Sequence, residues 1–135
     1  MDIPLDPTDL DAFLRQREVG LLVAFGSRVA GTAHSDSDLD LGVLRVDGRA
    51  LVHRELADLL ADLQGRASMR VDVVDLAAAD TLLRYEVVRN HRILFALDRE
   101  RWVDFAARTL IDYDDLLPFL NELIAGVARR AARLA

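Results

Sequence analysis

Hydrophobic and polar residues change period several times along the chain, and these changes predict alternating helices and strands. Apolar residues at helical spacing follow a start signal at residues 6–9 and predict a first helix within residues 1–19 that ends at Gly20. The unbroken apolar run at residues 21–25 predicts a strand buried on both faces. Gly26 and Ser27 close this strand, and a segment of polar and small residues follows.

The rest of the chain repeats this alternation of strand and helix patterns. The elements predicted from it are a strand from Asp38 or Leu39 to Val46, a helix over 49–64 that stops at Gly65, a strand over 70–76, a helix over 77–89 with Asp75 as its N-cap, an edge strand over 92–97 and helices over 98–135 interrupted at Pro118. Proline at 118 disfavours helical geometry at Leu117, so a second helix is expected to begin there.

This order of elements predicts an α/β (α+β) fold in which a mixed β-sheet is flanked by helices. The length of 135 residues suits a single domain spanning 1–135, with a core at about 8–97 and a C-terminal helical region at about 98–135. No internal repeat or low-complexity linker divides the sequence.

Composition narrows the chemistry that this fold can carry. The sequence has no cysteine and no lysine, which excludes disulfides, thiolate metal sites, Schiff bases and a lysine-dependent phosphate loop. Its net charge of −6 argues against direct nucleic-acid binding through phosphates. The acidic N-terminus does not resemble a secretory signal, and no apolar run approaches the ~20 residues of a membrane span. We therefore expect a cytoplasmic protein that binds no membrane.

The strongest candidate site is a group of aspartates on two predicted strands. Asp38 and Asp40 are two residues apart at the start of a strand, so both carboxylates lie on one face. A hard divalent cation such as Mg²⁺ or Mn²⁺ would relieve their mutual repulsion. Asp72 alternates with apolar residues on the next strand, which can bring it beside this pair. Three carboxylates around two ions suit in-line attack on a phosphoryl group, with Asp72 accepting the proton of the attacking hydroxyl.

The end of the first strand supplies a complementary phosphate site. Glycine at position 26 permits close approach of the backbone to a phosphate, and the Ser27 hydroxyl and the following amides can donate hydrogen bonds. Other polar residues of this segment have structural interpretations: Asp36 and Ser37 as loop formers, and His34 as an isolated surface residue.

Together these residues resemble the nucleotidyltransferase signature of the DNA polymerase beta superfamily. Gly26-Ser27, ten intervening residues and then Asp38-Leu39-Asp40 match its first motif, and residues 71–76 are similar to its third carboxylate strand. The first motif looks like that of minimal nucleotidyltransferases (MNT) that act as antitoxins. Residues 82–95 and 113–118 are similar to downstream segments of the same group, so the resemblance covers nearly the whole chain.

The resemblance implies an antitoxin with protein adenylyltransferase activity. Such antitoxins pair with a HEPN-class RNase toxin and transfer AMP from ATP to a tyrosine hydroxyl of the toxin, which neutralises it. The residues that it assigns are Asp38, Asp40 and Asp72 as catalytic residues and metal ligands, and Gly26, Ser27 and Arg28 as nucleotide-binding residues. We therefore expect ATP as substrate, Mg²⁺ or Mn²⁺ as cofactor, and a hetero-oligomer with the toxin.

Two other functions stay open at this point. A non-catalytic antitoxin would inhibit its toxin by complex formation alone. The intact set of three aspartates argues against this function, because a catalytic site that is no longer used would be expected to lose them. A nucleotidyltransferase for a small molecule such as an antibiotic would usually carry an extra helical domain, for which this length leaves little room.

Overall fold

The computed structural model describes residues 3–31 and 37–134. Within these ranges helices and strands alternate along the chain as the sequence predicts. The elements are α1 (Leu10–Gln16), β1 (Val19–Phe25), α2 (Ser27–Ala30), β2 (Leu39–Arg45), α3 (His53–Arg66), β3 (Val71–Asp75), α4 (Thr81–Arg89), β4 (His91–Ala96) and α5 (Arg99–Leu134).

The four strands form one mixed sheet in the order β3-β2-β1-β4. β2 and β3 run parallel, whereas β1 pairs antiparallel with both β2 and β4. The predicted mixed sheet flanked by helices is therefore confirmed, with β4 as the predicted edge strand. β3 forms the opposite edge, beside α3.

All seven residues of β1 are buried, because helices cover both faces of the sheet at its centre. Leu22 and Ala24 point into an apolar cluster formed with α1 and α3. Leu21 and Val23 point into a second cluster, formed with α4 and α5. Burial of each leucine contributes about 1.5–3 kcal/mol. This packing on both faces fixes the strand whose C-terminal end carries Gly26.

The first helix is shorter than its pattern predicts, and Gly20 does not end it. α1 ends at Gln16, and Gly20 lies inside β1. The chain turns instead at Glu18, which adopts a left-handed φ of 59°. The Glu18 carbonyl accepts a hydrogen bond from the Val46 amide at 2.9 Å. The Glu18 carboxylate accepts a hydrogen bond from the Arg45 guanidinium at 3.0 Å. The position of the turn thus depends on contacts with β2 and its end.

The N-cap of α4 is Asp80, so the prediction of Asp75 in this role was wrong. Asp80 accepts a hydrogen bond from the Leu83 amide at 2.8 Å. Asp75 is instead the buried last residue of β3, and its carboxylate accepts hydrogen bonds from the amides of Leu51 and Ala77. These contacts stabilise a turn after β3, which is why the helix begins four residues later than its pattern predicts.

Helix α5 passes through Pro118 without the predicted interruption. Proline has no amide hydrogen, so it removes one helical hydrogen bond at a cost of about 3 kcal/mol. Just before it, Tyr113 stacks on Tyr85 of α4 with 3.6 Å between ring centroids. This stacking contact and the helical hydrogen bonds on either side of Pro118 favour continuation of α5 over the start of a new helix. A smaller difference is that α3 continues one residue past Gly65.

Side chains of α5 are buried only in its first half. Phe105 and Thr109 are buried, whereas Phe119, Leu123 and Ile124 are 65–70% exposed. Among the described residues, none of the helices combines the length and hydropathy that crossing a membrane requires.

Candidate active site

The centre of the candidate site is the contact between the end of β1 and the start of β2. Phe25, the last residue of β1, pairs with Asp40 of β2. Gly26 follows with φ of 81° and ψ of −156°, a conformation that is essentially restricted to glycine. A Cβ at this position would lie 2.5 Å from Oδ2 of Asp40. Only glycine therefore lets the chain turn into α2 directly above this carboxylate.

Asp40 and Asp72 are direct partners in the parallel ladder between β2 and β3. Partners in a ladder share a face of the sheet, so both carboxylates lie on the same side. Leu39 and Leu41 point to the other side and are fully buried in the cluster with α1 and α3. Asp75 is three residues after Asp72 and points away from it. The structure thus brings Asp40 and Asp72 together.

Asp38 lies immediately before β2, at the same end of the sheet. The ladder begins beside it, where the Leu39 amide donates a hydrogen bond to the Arg70 carbonyl at 2.9 Å. The Asp38 carboxylate faces the Arg70 side chain, with 3.8 Å between Oδ2 and Nε. Arg70 is a neighbour of the site that the sequence analysis missed. The only signal for it is the register of β2 against β3, which the sequence does not reveal.

The electrostatics of Asp40 reflect this crowding of carboxylates. Partial burial raises the pKa of Asp40 above its ordinary value, and the negative charges of Asp72 and then Asp38 raise it further. Each of these causes disfavours the charged form of the carboxyl group. A cation placed between the carboxylates would reverse the effect of both neighbours.

The donor chemistry of this group fits a hard divalent cation. Mg²⁺ and Mn²⁺ prefer oxygen ligands, and three carboxylates at one sheet end supply them. Within residues 3–31 and 37–134, however, no group of three or more His, Cys, Asp or Glu side chains is arranged to hold a metal ion. The Asp38 carboxylate lies near the Arg70 guanidinium, and its negative charge also acts on Asp40.

The remaining predicted residues lie on α2. Ser27 is its first residue and is half-buried. Arg28 follows, and its guanidinium donates a hydrogen bond to the Ser37 carbonyl at 3.0 Å. Arg28 therefore joins α2 to the residue that precedes Asp38. The loop interpretation of Asp36 and the surface interpretation of His34 concern positions outside the described residues.

Comparison with known proteins decides the family. Residues 9–100, which include all four strands, match the family described as polymerase beta nucleotidyltransferase. The chain belongs to this family. As a polymerase beta nucleotidyltransferase, it carries the sheet and the paired strand ends described above, and the predicted nucleotidyltransferase fold is confirmed.

The relatives of this nucleotidyltransferase include a curated enzyme. The chain is 33% identical over 118 residues to the protein adenylyltransferase MntA of Shewanella oneidensis. The match covers 84% of this chain and 82% of the relative.

Solved structures of toxin–antitoxin complexes contain chains with the same fold. A chain in the crystal structure of a toxin–antitoxin with AMP-PNP is 29% identical, with a TM-score of 0.76 and coverage of 91% of this chain and 98% of that one. A chain in the complex of tri-AMPylated Shewanella oneidensis HEPN toxin with MNT antitoxin is 26% identical, with a TM-score of 0.70 and coverage of 90% and 94%. The predicted resemblance to MNT antitoxins is confirmed by these matches.

Proposed function

We propose that this nucleotidyltransferase is an antitoxin that transfers AMP from ATP to a tyrosine hydroxyl of a HEPN RNase toxin and thereby neutralises it. The observation that carries the proposal is the alignment of Asp40 with Asp72 beneath the glycine turn at Gly26. The relatives support the choice of substrates, since one is named a protein adenylyltransferase and another stands in a complex with an AMPylated toxin.

In this proposal ATP binds at the turn between β1 and α2. Gly26 lets the phosphates approach the backbone above Asp40, and the Ser27 hydroxyl donates a hydrogen bond to a phosphate oxygen. Arg28 contributes positive charge from the next position of α2. The toxin–antitoxin structure with AMP-PNP supports a triphosphate of this kind as the ligand.

Asp38, Asp40 and Asp72 would hold Mg²⁺ or Mn²⁺ at this end of β2 and β3. When bound, the cation neutralises phosphate charge and lowers the pKa of the attacking hydroxyl. The pKa of Asp40 is raised first by partial burial and then by the negative charges of Asp72 and Asp38, and a cation would relieve the repulsion among these three carboxylates.

The chain's own groups then orient the reactants. The tyrosine oxygen attacks the α-phosphorus of ATP, a new P–O bond forms, and the bond to the bridging oxygen of the β-phosphate breaks. Pyrophosphate leaves, and the tyrosine proton passes to the Asp72 carboxylate. Ser27 and Arg28 hold the departing phosphates, so the attacking and leaving oxygens stay in line.

Several wider assignments belong to the same proposal. The protein acts as one domain, works in the cytoplasm and forms a hetero-oligomer with its toxin. The solved complexes of relatives support the last of these.

The test follows AMP transfer by measuring the mass of the intact toxin. The chain is incubated with ATP, Mg²⁺ and a candidate HEPN toxin encoded beside it, and the intact toxin is weighed. We expect the toxin to gain whole AMP units and to lose RNase activity. Asp38→Ala and Asp40→Ala should each slow the gain by at least about 10³-fold.

Other outcomes separate the alternatives. Toxin inhibition without a gain in mass, unchanged in Asp38→Ala and Asp40→Ala, would identify a binding antitoxin and contradict the proposal. Transfer of label to an aminoglycoside but not to the toxin would identify a small-molecule enzyme. As a control, Arg49→Ala alters an exposed residue of the loop after β2 and should leave the transfer rate unchanged.

A further inference from the structure

The second half of α5 exposes apolar side chains that the rest of the chain does not cover. Residues 121–134 are exposed except for the half-buried Gly126, and they add about 20 Å of helix. Leu123 and Ile124 are each 65% exposed, and Val127 is 57% exposed. Neither of the two apolar core clusters of the described residues includes them.

These apolar side chains share one face of the helix. The positions i, i+3, i+4 and i+7 along it carry Leu120, Leu123, Ile124 and Val127. We call these four residues the distal α5 face. The same side of the helix carries Phe105 and Thr109 in the first half, since steps of four and seven residues lead from them to Leu120. Both are buried, so the distal α5 face continues a side that is already covered within the domain.

The end of α5 is basic, although the whole chain has a net charge of −6. Arg129, Arg130 and Arg133 follow the distal α5 face, and residues 123–135 include no aspartate or glutamate. A partner that receives this segment therefore needs an apolar groove for the face. Acidic residues beside the groove would complement the arginines.

Comparison with relatives separates α5 from the nucleotidyltransferase fold itself. The family match ends at residue 100, where α5 has just begun. A solved minimal nucleotidyltransferase, 30% identical with a TM-score of 0.50, matches over 95% of its own length but only 65% of this chain. The fold can thus be complete in a chain about two thirds as long.

The relatives from toxin–antitoxin complexes share α5. Their matches cover 90–91% of this chain. The tenth of the chain that they leave uncovered is shorter than the 36 residues of α5, so these relatives contain most of the helix. The long helix therefore accompanies the relatives that are found in complex with a toxin.

We propose that the distal α5 face is the docking surface for the toxin, which receives it in an apolar groove flanked by acidic residues. This inference rests on the proposed function and adds the surface that holds the protein substrate. The four residues of the face are separate from the aspartates and the glycine turn of the candidate active site. Toxin binding and AMP transfer can therefore be measured independently.

The first test places a charge on the distal α5 face. Ile124→Glu is compared with Ile111→Glu, because Ile111 is 62% exposed and lies about 3.6 turns earlier, on another side of α5. For Ile124→Glu we expect the Kd for the toxin, measured without ATP, to rise at least about tenfold. Affinity for AMP-PNP should stay within about twofold, and Ile111→Glu should leave both values unchanged. An unchanged Kd in Ile124→Glu would overturn the inference.

A second test uses the absence of cysteine from the sequence. Ile124→Cys and Ile111→Cys each introduce a single thiol, and the rate of maleimide labelling is measured with and without the toxin. We expect the toxin to slow labelling at position 124 at least about tenfold and to leave position 111 unaffected. Equal rates at position 124 with and without the toxin would contradict the proposed docking surface.

The labelling experiment also tests a second copy of this chain as the occupant. Labelling at position 124 should be independent of the concentration of the chain when the toxin is absent. Protection that increases with this concentration would identify contact between two copies and would overturn the inference.

The two tests separate failure of the docking surface from failure of the proposed function. If the toxin gains no AMP yet protects position 124, the proposed function fails and the docking surface stands. If the toxin gains AMP while Ile124→Glu keeps its Kd and position 124 is unprotected, the function stands and the docking surface is wrong.

Discussion

Gly26 and Asp40 are so close that a Cβ on residue 26 would lie 2.5 Å from Oδ2 of Asp40. We assign the turn at Gly26 to the nucleotide phosphates and the Asp40 carboxylate to the cation. This contact places the two directly against each other. It explains in steric terms why a glycine stands at this position. Any other residue would push the turn away from the carboxylate or force the carboxylate aside.

We expect Gly26→Ala to lose AMP transfer by about 10²-fold or more, because the added methyl displaces the Asp40 carboxylate. The positive φ should also cost about 1–3 kcal/mol of stability. The measurements are toxin mass over time and the urea midpoint of unfolding.

The matched control is Gly48→Ala. Gly48 has a similar φ of 76°, but a Cβ there would meet nothing within 4 Å. The Gly48→Ala variant should lose stability through backbone strain and keep its rate of AMP transfer per folded molecule. Equal loss of transfer in the two variants would show that strain, and not the contact with Asp40, is responsible.

Asp40 should make the metal-free protein less stable at neutral pH. Its pKa in the folded chain is raised, so ionisation costs more in the folded state than in the unfolded one. The penalty is absent below the unfolded pKa and grows as pH rises through the folded pKa. Asp40→Asn should therefore raise the Tm by about 1–3 °C at pH 7.5 in EDTA, with a smaller gain near pH 4.

Added Mg²⁺ should reverse this order by stabilising the parent chain more than Asp40→Asn. Thermal unfolding with and without the ion provides the comparison. A parent chain that is the more stable of the two in EDTA at pH 7.5 would be inconsistent with the repulsion described here.

Arg45 should be important for stability and unimportant for chemistry. Its buried guanidinium pairs with Glu18, Asp47 and Glu55 at 2.6–3.1 Å, on the side of β2 away from the site. Arg45→Met leaves these acids without their shared partner and should cost about 2–3 kcal/mol. Urea unfolding would detect this loss, while AMP transfer per folded molecule should stay within about twofold.

Arg49 offers the comparison for Arg45, because it pairs with Asp47 and Glu55 from an exposed position. Arg49→Met should change stability by no more than about 0.5 kcal/mol. If both variants lost equal stability, burial of the Arg45 guanidinium would not be the cause.

Local patterns were enough to predict the parts of the site that lie close together in the sequence. The buried run of β1, the glycine turn at Gly26 and the alternation of Asp38 and Asp40 each depend on neighbouring residues. The pairing of Asp40 with Asp72 depends on strand order and register, which the sequence only made plausible. The contact of Asp38 with Arg70 follows from the same register and was not predicted.

The errors have a common physical origin in contacts between distant residues. Asp75 looks like an N-cap, yet its carboxylate binds the Leu51 amide, 24 residues away. Pro118 looks like a helix boundary, yet α5 is held on α4 just before it. In both cases local preference was outweighed by tertiary packing.

The most direct test of the central claim is anomalous diffraction from crystals grown with AMP-PNP and Mn²⁺. We predict a manganese peak bound by the carboxylates of Asp38 and Asp40 and next to that of Asp72, with the triphosphate above Gly26. Crystals of Asp40→Asn should show the peak weakened or lost. Clear density for AMP-PNP at Gly26 with no manganese among the three carboxylates would contradict the account.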